Sequence, residues 1–321
     1  MAKVHKVVKL DSNFIEYPGT TADEVAERIK DATIVITPSV SLTYDDIMGA
    51  PKLEMLASMG VAISHFDRQA VVERGITVCN VPAQNTDSVT EHAFALYYAV
   101  KRRIVQHHHV AMDGVTWAKQ KVMIRDFEHL PRTNGEEKLG VVGYGALGRS
   151  VQRMATALGM NVLVAERKGS TATREGRTSF ADVLKQCTVL ILTCPLDDST
   201  RNMIDEPELC TMDNSALIIN VARGGVINER ALAAALKNHA IAGAATDVFE
   251  IEPATKENSP LLDPSIPNLV LTPHTAWVSS KTIKGTQKVI KENIEAYAAG
   301  RPQNVVIAGR TVVGKTINGQ V

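Results

Sequence analysis

No feature of this chain restricts its fold as much as the run Leu139-Gly140-Val141-Val142-Gly143-Tyr144-Gly145-Ala146-Leu147-Gly148. A short apolar segment passes through G-x-G-x-x-G and directly into helix-forming residues. Gly143 permits a tight turn, Gly145 lets the backbone approach a pyrophosphate, and Gly148 lets helix and strand pack closely. The helix N-terminus then offers N–H groups and the positive end of its dipole to phosphate oxygens. Strand, turn and helix in that order predict a dinucleotide cradle over Gly143, Tyr144, Gly145, Ala146, Leu147 and Gly148. The next apolar run, Val162-Leu163-Val164-Ala165, ends on Glu166, 18 residues past Gly148. A carboxylate there accepts from ribose hydroxyls and repels a 2′-phosphate, which favours NAD. Arg167 and Lys168 follow and offer such a phosphate an alternative partner.

The rest of the chain reads as strands alternating with helices, which predicts an α/β fold with parallel sheets covered on both faces. Strands are expected at Val4–Lys9, Thr33–Thr37, Leu53–Ser58 and Ile76–Asn80, with helices after Thr21 and near Asp67–Arg74. Ser88-Val89-Thr90-Glu91 reads as the capping box of a long helix whose apolar stripe is Val89, Ala93, Leu96, Val100 and Ile104. Residues 112–135 have weak periodicity and mixed charge, so an irregular arm is expected there. Strands resume at Leu139–Val142, Asn161–Ala165, Thr188–Thr193, Ala216–Val221, Ile241–Asp247 and Leu269–Thr272. One intervening helix is capped by Ser179, and a last amphipathic helix runs over residues 280–299.

Composition excludes several classes of partner. At about 100–200 residues per domain, 321 residues suggest two cores. Thirty-five basic side chains balance thirty-five acidic ones, so no electrostatic match to nucleic acid or an anionic membrane is expected. No apolar run approaches the roughly 18 residues that span a bilayer, and no signal-type stretch opens the chain. Cys79, Cys187, Cys194 and Cys210 lack metal or CxxC spacing and read as reduced, mostly buried thiols of a cytoplasmic protein. His107-His108-His109 point around a helix rather than to one face, so they read as a solvated helix end and no metal is expected. Cys194 beside Pro195 reads as a pocket wall, and Trp117, Tyr97 and Tyr98 as core or subunit-contact residues.

Three reactive residues fall just past strand ends, the edge where a parallel sheet holds its ligand crevice. Arg223 follows one strand in Asn220-Val221-Ala222-Arg223-Gly224-Gly225. Glu252 follows another in Asp247-Val248-Phe249-Glu250-Ile251-Glu252-Pro253, with Glu250 a rival for its place. His274 follows a third in Thr272-Pro273-His274-Thr275-Ala276-Trp277. The glycine turn lies on the same edge. Histidine protonates an oxygen near neutral pH, a carboxylate favours its imidazolium form, and arginine forks onto a carboxylate and a developing oxyanion. These are the groups that hydride reduction of a small 2-oxo acid needs.

Together these four motifs resemble the D-isomer-specific 2-hydroxyacid dehydrogenases, over nearly the whole chain. The resemblance implies Arg223 as the substrate-binding arginine, Glu252 as partner of the histidine and His274 as acid/base. It implies that Asp247 contacts the nicotinamide amide, and that Cys194, Val221 and Ala222 line the cofactor pocket. It implies a Rossmann domain, residues 105–285, inserted in a flavodoxin-like substrate domain made of residues 1–104 and 286–321. Homodimers paired through the Rossmann domain are usual, and the 112–135 arm suits that contact. The family binds substrate carboxylate on a GxG-type loop; this chain has Gly60-Val61-Ala62, so Ala62 departs from the pattern. Trp277 after His274, together with Ala165–Lys168, is similar to the glycerate dehydrogenase branch, which implies reduction of hydroxypyruvate to D-glycerate with NADH, and of glyoxylate too. A D-lactate-type dehydrogenase is the alternative substrate reading. A corepressor-like NAD-sensing scaffold is the alternative of another class; its relatives carry longer disordered tails. Formate-type relatives pair the histidine with glutamine, where this chain has Glu252.

Overall fold

The computed structural model describes residues 13–310, so the strand expected at Val4–Lys9 lies outside the described residues. Packing divides the chain into two compact units, one drawn from both ends, up to Gln84 and from Ser279 on, and the other spanning Asn85–Val278.

In the two-ended unit, the backbone N–H of Thr21 donates to the Glu24 carboxylate (2.9 Å), the expected capping box, and the chain enters α1 (Val25–Ile29). There follow β1 (Ile34–Thr37), α2 (Tyr44–Met48), β2 (Met55–Ser58), α3 (Arg68–Arg74) and β3 (Thr77–Cys79). The C-terminal part adds α11 (Ser280–Ala298) and β10 (Val305–Ile307). The sheet order is β1-β2-β3-β10. Successive strand residues face opposite sides, and both sides are covered. Leu56 and Val78 pack with Val25, Ile47, Ala70 and Val71 of the early helices. Met55, Ala57 and Cys79 pack with Ile290 and Ile294 of α11. This sheet is not wholly parallel as expected, because β10 runs antiparallel to β3.

The second unit opens with α4 (Thr86–Lys101), α5 (Ile104–Met112) and α6 (Thr116–Gln120). It continues through β4 (Lys138–Val142), α7 (Ala146–Ala157), β5 (Asn161–Val164), α8 (Phe180–Gln186), β6 (Val189–Leu192) and α9 (Glu206–Thr211). It closes with β7 (Leu217–Asn220), α10 (Glu229–Lys237), β8 (Gly243–Thr246) and β9 (Leu269–Leu271). The six strands are parallel, in the order β5-β4-β6-β7-β8-β9. A single parallel bridge, Ala165 to Thr178, extends the sheet beyond β5. The winding therefore reverses between β4 and β6, the topological switch point of a Rossmann-type sheet and the place where such sheets bind ligands. Leu190, Leu192 and Ile218 meet Val183, Leu209 and Leu232 on one face. Leu139, Val141 and Ile191 meet Val89, Ala93, Val151 and Ala155 on the other.

That second cluster moves the division between units. The expected boundary near residue 104 lies after the long helix, but α4 buries its stripe on the β4–β9 sheet, so the division falls before it. The helix starts at Thr86, and Ser88 is not its cap: its hydroxyl donates to the carbonyls of Asn85 (3.0 Å) and Trp277 (3.2 Å). Nor does the stripe reach Ile104. Arg103 turns the chain in a left-handed conformation (φ 50°), and Ile104 begins α5 exposed. The triple histidine sits within α5 rather than at a helix end. The 112–135 arm is irregular apart from α6 and single turns at Ile124–Asp126 and Asn134–Glu136. Among the described residues no helix is long and apolar enough to cross a membrane.

Candidate active site

The glycine turn leaves β4 at the switch point. Gly143 has φ 90°, which L side chains rarely adopt, and a Cβ there would lie 2.5 Å from the Cys194 amide nitrogen just past β6. A Cβ on Gly148 would collide with the Gly143 carbonyl, which instead accepts from the Thr193 hydroxyl (2.7 Å). Gly145 is the exposed N-cap of the 12-residue helix α7, with no side chain capping it and open space where a Cβ would stand. The first N–H groups of a helix lack intrahelical partners, so this turn presents donors, a dipole end and room. Those features fit a pyrophosphate. Cys194, Val221 and Ala222 are buried at the ends of β6 and β7. Burial pushes the Cys194 thiol up to about 11, which suits a packed wall and not a nucleophile.

The loops after β7, β8 and β9 hold the reactive side chains. Asp247, 1% exposed, organises the last of them. Its Oδ1 accepts from the Thr272 hydroxyl (2.6 Å) and the Thr275 N–H (2.8 Å), and its Oδ2 from the Ala276 N–H (2.9 Å). Its backbone carbonyl accepts from the His274 N–H (2.8 Å). Four bonds from one residue thus hold His274 at φ 53°, a conformation costing a non-glycine residue about 1–3 kcal/mol. From α4, His92 Nε2 lies 3.0 Å from the Thr272 hydroxyl and 3.5 Å from Asp247 Oδ1.

So held, His274 Nδ1 meets Glu252 Oε2 at 2.6 Å, while Glu252 Oε1 accepts from the Phe249 N–H (2.9 Å). The rival Glu250 is exposed and offers its own N–H to Glu229 (2.7 Å). The hydrogen bond to Glu252 raises the His274 pKa against the opposing pull of burial. Burial pulls Glu252 upward, but His274, the Phe249 N–H and the Arg223 charge hold it below the ordinary glutamate value. Arg223 stands on a turn fastened by Asn220, whose Oδ1 accepts from the Ala222 N–H (3.0 Å) and whose Nδ2 donates to the Arg223 carbonyl (3.1 Å). A Cβ on the neighbouring Gly224 would strike the Phe249 carbonyl, so the loops after β7 and β8 touch at backbone distance. The His274 side chain keeps 44% of its surface exposed, and Trp277 is partly exposed three residues on.

Glu166 departs from expectation. It is 5% exposed, and both of its oxygens are engaged within the protein. Oε1 accepts from the Arg167 N–H (2.9 Å) and Arg174 Nη2 (2.5 Å); Oε2 accepts from Arg174 Nε (2.7 Å) and the Arg174 N–H (3.2 Å). The Arg174 guanidinium, first among these, holds the carboxyl well below the usual range. Lys168 is tied to Glu208 (2.7 Å) and the Met203 carbonyl (2.9 Å).

In the two-ended unit, the Gly60–Ala62 loop has all three carbonyls fastened: Gly60 accepts from the Val81 N–H (3.0 Å), Val61 from Asn80 Nδ2 (2.8 Å) and Ala62 from the Ser58 hydroxyl (2.7 Å). The loop's N–H groups meet no acceptor among the described residues. Ala62 is not among the positive-φ residues, so its methyl imposes no backbone strain. Sequence reasoning missed Arg174 and His92, and gave Thr272 and Asn220 no role of their own. Each acts by a hydrogen bond across a loop, which no periodicity marks.

Residues 94–276 match the family described as D-isomer specific 2-hydroxyacid dehydrogenase, NAD binding domain. A glycerate dehydrogenase of Methylorubrum extorquens is 36% identical over 294 residues, 91% of this chain and 91% of its own. A D-lactate dehydrogenase of Aquifex aeolicus, solved with NAD and lactic acid, aligns with TM-score 0.74 and 26% identity over 91% of this chain and 90% of its own. An NADPH-dependent glyoxylate/hydroxypyruvate reductase of Sinorhizobium meliloti, solved with NADP and malonate, gives 0.74 and 28% over 91% of this chain and 88% of its own.

Proposed function

The chain belongs to the D-isomer-specific 2-hydroxyacid dehydrogenases, oxidoreductases with an NAD(P)-binding domain, and from that premise we propose that it reduces hydroxypyruvate to D-glycerate with NADH, taking glyoxylate as well. The observation that carries this reading is the 2.6 Å pairing of His274 with Glu252 on the sheet edge that also bears the glycine turn. The reduced nicotinamide, when bound, supplies a hydride to C2 of the oxo acid. His274 delivers the proton that the resulting oxygen needs. With Nδ1 engaged by Glu252, the proton leaves from Nε2. Glu252 keeps the ring oriented and charged for that role. Arg223 forks onto the substrate carboxylate and the C2 oxygen, stabilising charge as it develops. The N–H groups of Gly60, Val61 and Ala62 would suit a carboxylate, and Asp247 is the residue that would hold the carboxamide of the cofactor.

The choice of hydroxypyruvate rests on Trp277 and on the glycerate dehydrogenase and hydroxypyruvate reductase names carried by relatives. We also infer a homodimer built on the arm of residues 112–135, which exposes Met112, Val115, Trp117, Val122, Ile124 and Leu130. A steady-state panel of hydroxypyruvate, glyoxylate, pyruvate and phenylpyruvate with NADH tests the function. Hydroxypyruvate is expected to give the highest kcat/KM. His274→Ala is expected to lower kcat by about 10²–10⁴-fold with an unchanged circular dichroism spectrum. A strong preference for pyruvate or phenylpyruvate would overturn the substrate, and undiminished activity of His274→Ala would overturn the mechanism.

A further inference from the structure

A dinucleotide site selects against a 2′-phosphate when a carboxylate after the second strand offers its oxygens to the ribose hydroxyls. A carboxylate has about four acceptor positions, and Glu166 has four donors on it already, all from Arg167 and Arg174. Its charge is neutralised by a bidentate guanidinium. The loop that brings Arg174 back is closed at its base, where Glu166 N–H donates to the Thr178 carbonyl (2.8 Å) and Thr178 N–H to the Val164 carbonyl (2.8 Å). The pairing is therefore part of how this edge is folded.

Resting on the dinucleotide reading above, we propose that the ribose edge accepts a 2′-phosphate as well as a 2′-hydroxyl, so that the protein takes NADP(H) beside NAD(H), with Arg174 deciding between them. Two of the five N–H donors of Arg174 are on Glu166; three remain, on a side chain 60% exposed, and a guanidinium fork suits phosphate oxygens. Arg177 stacks 4.3 Å from the ring centroid of Tyr144, inside the glycine turn, which brings a second guanidinium to the same edge. Arg167 adds an exposed third cation beside Glu166. Lys168 does not contribute, since Glu208 already neutralises it.

Calorimetric titration of NAD+ and NADP+ into the wild-type protein, Arg174→Ala and Glu166→Gln tests this. The wild type is expected to bind the two within about tenfold of each other. Losing a charge-assisted fork to phosphate is expected to weaken NADP+ by about tenfold or more in Arg174→Ala. NAD+ binding is expected to hold or tighten there, because the released carboxylate turns to the ribose. Glu166→Gln is expected to keep NADP+ affinity. Should Arg174→Ala fail to fold, Arg174→Lys keeps the charge without the fork, and the same swing toward NAD+, smaller in size, is expected. A wild-type protein discriminating against NADP+ by about a hundredfold or more, the mark of an available carboxylate, would overturn the inference and leave the dehydrogenase reading standing. So would an Arg174 variant with an unchanged ratio of constants. Binding of neither dinucleotide would overturn both.

Discussion

His274 combines a left-handed backbone, a carboxylate on Nδ1 and a buried aspartate that fastens the surrounding loop. The two acids have separable tasks, and each gives a prediction. Glu252 raises the imidazole pKa. In the proposed reduction His274 acts in its protonated form, so kcat/KM for reduction is expected to be full below that raised pKa and to fall as pH rises through it. Oxidation needs the neutral form and follows the opposite limb. Glu252→Gln removes the raising influence, so the descending limb for reduction is expected to move toward acid in a kcat/KM–pH profile. A limb that stays in place would mean the carboxylate does not set the titration. Asp247 adds a smaller raising charge but acts mainly on position. Asp247→Asn turns one acceptor oxygen into an NH2 facing an N–H or hydroxyl, and leaving a buried donor unsatisfied costs about 1–3 kcal/mol. Thermal unfolding is expected to show that loss. An Asp247→Asn variant as stable as the parent would show that the loop does not depend on those bonds.

At the scale of elements, the glycine turn and the strands around it bear most of the fold. A Cβ on Gly148 has no room beside the Gly143 carbonyl, and overpacking of this kind costs about 1–3 kcal/mol. Gly148→Ala is therefore expected to lower stability and weaken NAD+ binding in a calorimetric titration; unaltered binding would contradict the close packing of turn and helix. Leu190 and Ile191 are fully buried on opposite faces of β6. Replacing either by alanine is expected to cost about 2–5 kcal/mol in denaturant unfolding. Values under about 1 kcal/mol would deny β6 its central place in the core. The buried parallel strands were legible because a strand covered on both faces reads as an unbroken apolar run. The short elements α2, α6 and β10 were not, because three to five residues show no period, and β10 pairs with β3 from far along the chain. The start of α4 was misread because Ser88 has the right residue type for a cap yet donates to the Asn85 and Trp277 carbonyls. The placing of Arg223, Glu252 and His274 past β7, β8 and β9 was legible from the strand pattern. The engagement of Glu166 was not, since Arg174 returns from eight residues downstream through a loop with no repeating pattern.

For the whole molecule, the two units share an α/β plan, but only the second has a purely parallel sheet whose winding reverses at the glycine turn. The exposed apolar arm belongs to that unit as well. If it joins two copies, Trp117→Glu with Leu130→Glu is expected to shift sedimentation velocity from dimer to monomer; a monomeric wild type would remove the arm's assigned role. The central claim is that the glycine turn, Arg223, Glu252 and His274 together perform one hydride and one proton transfer. Following deuterium from C4-labelled NADH into product by NMR, with hydroxypyruvate as acceptor, tests it directly. The account predicts D-glycerate labelled at C2, one equivalent per NADH consumed. Glycerate without the label, the L isomer, or no consumption of NADH would contradict it.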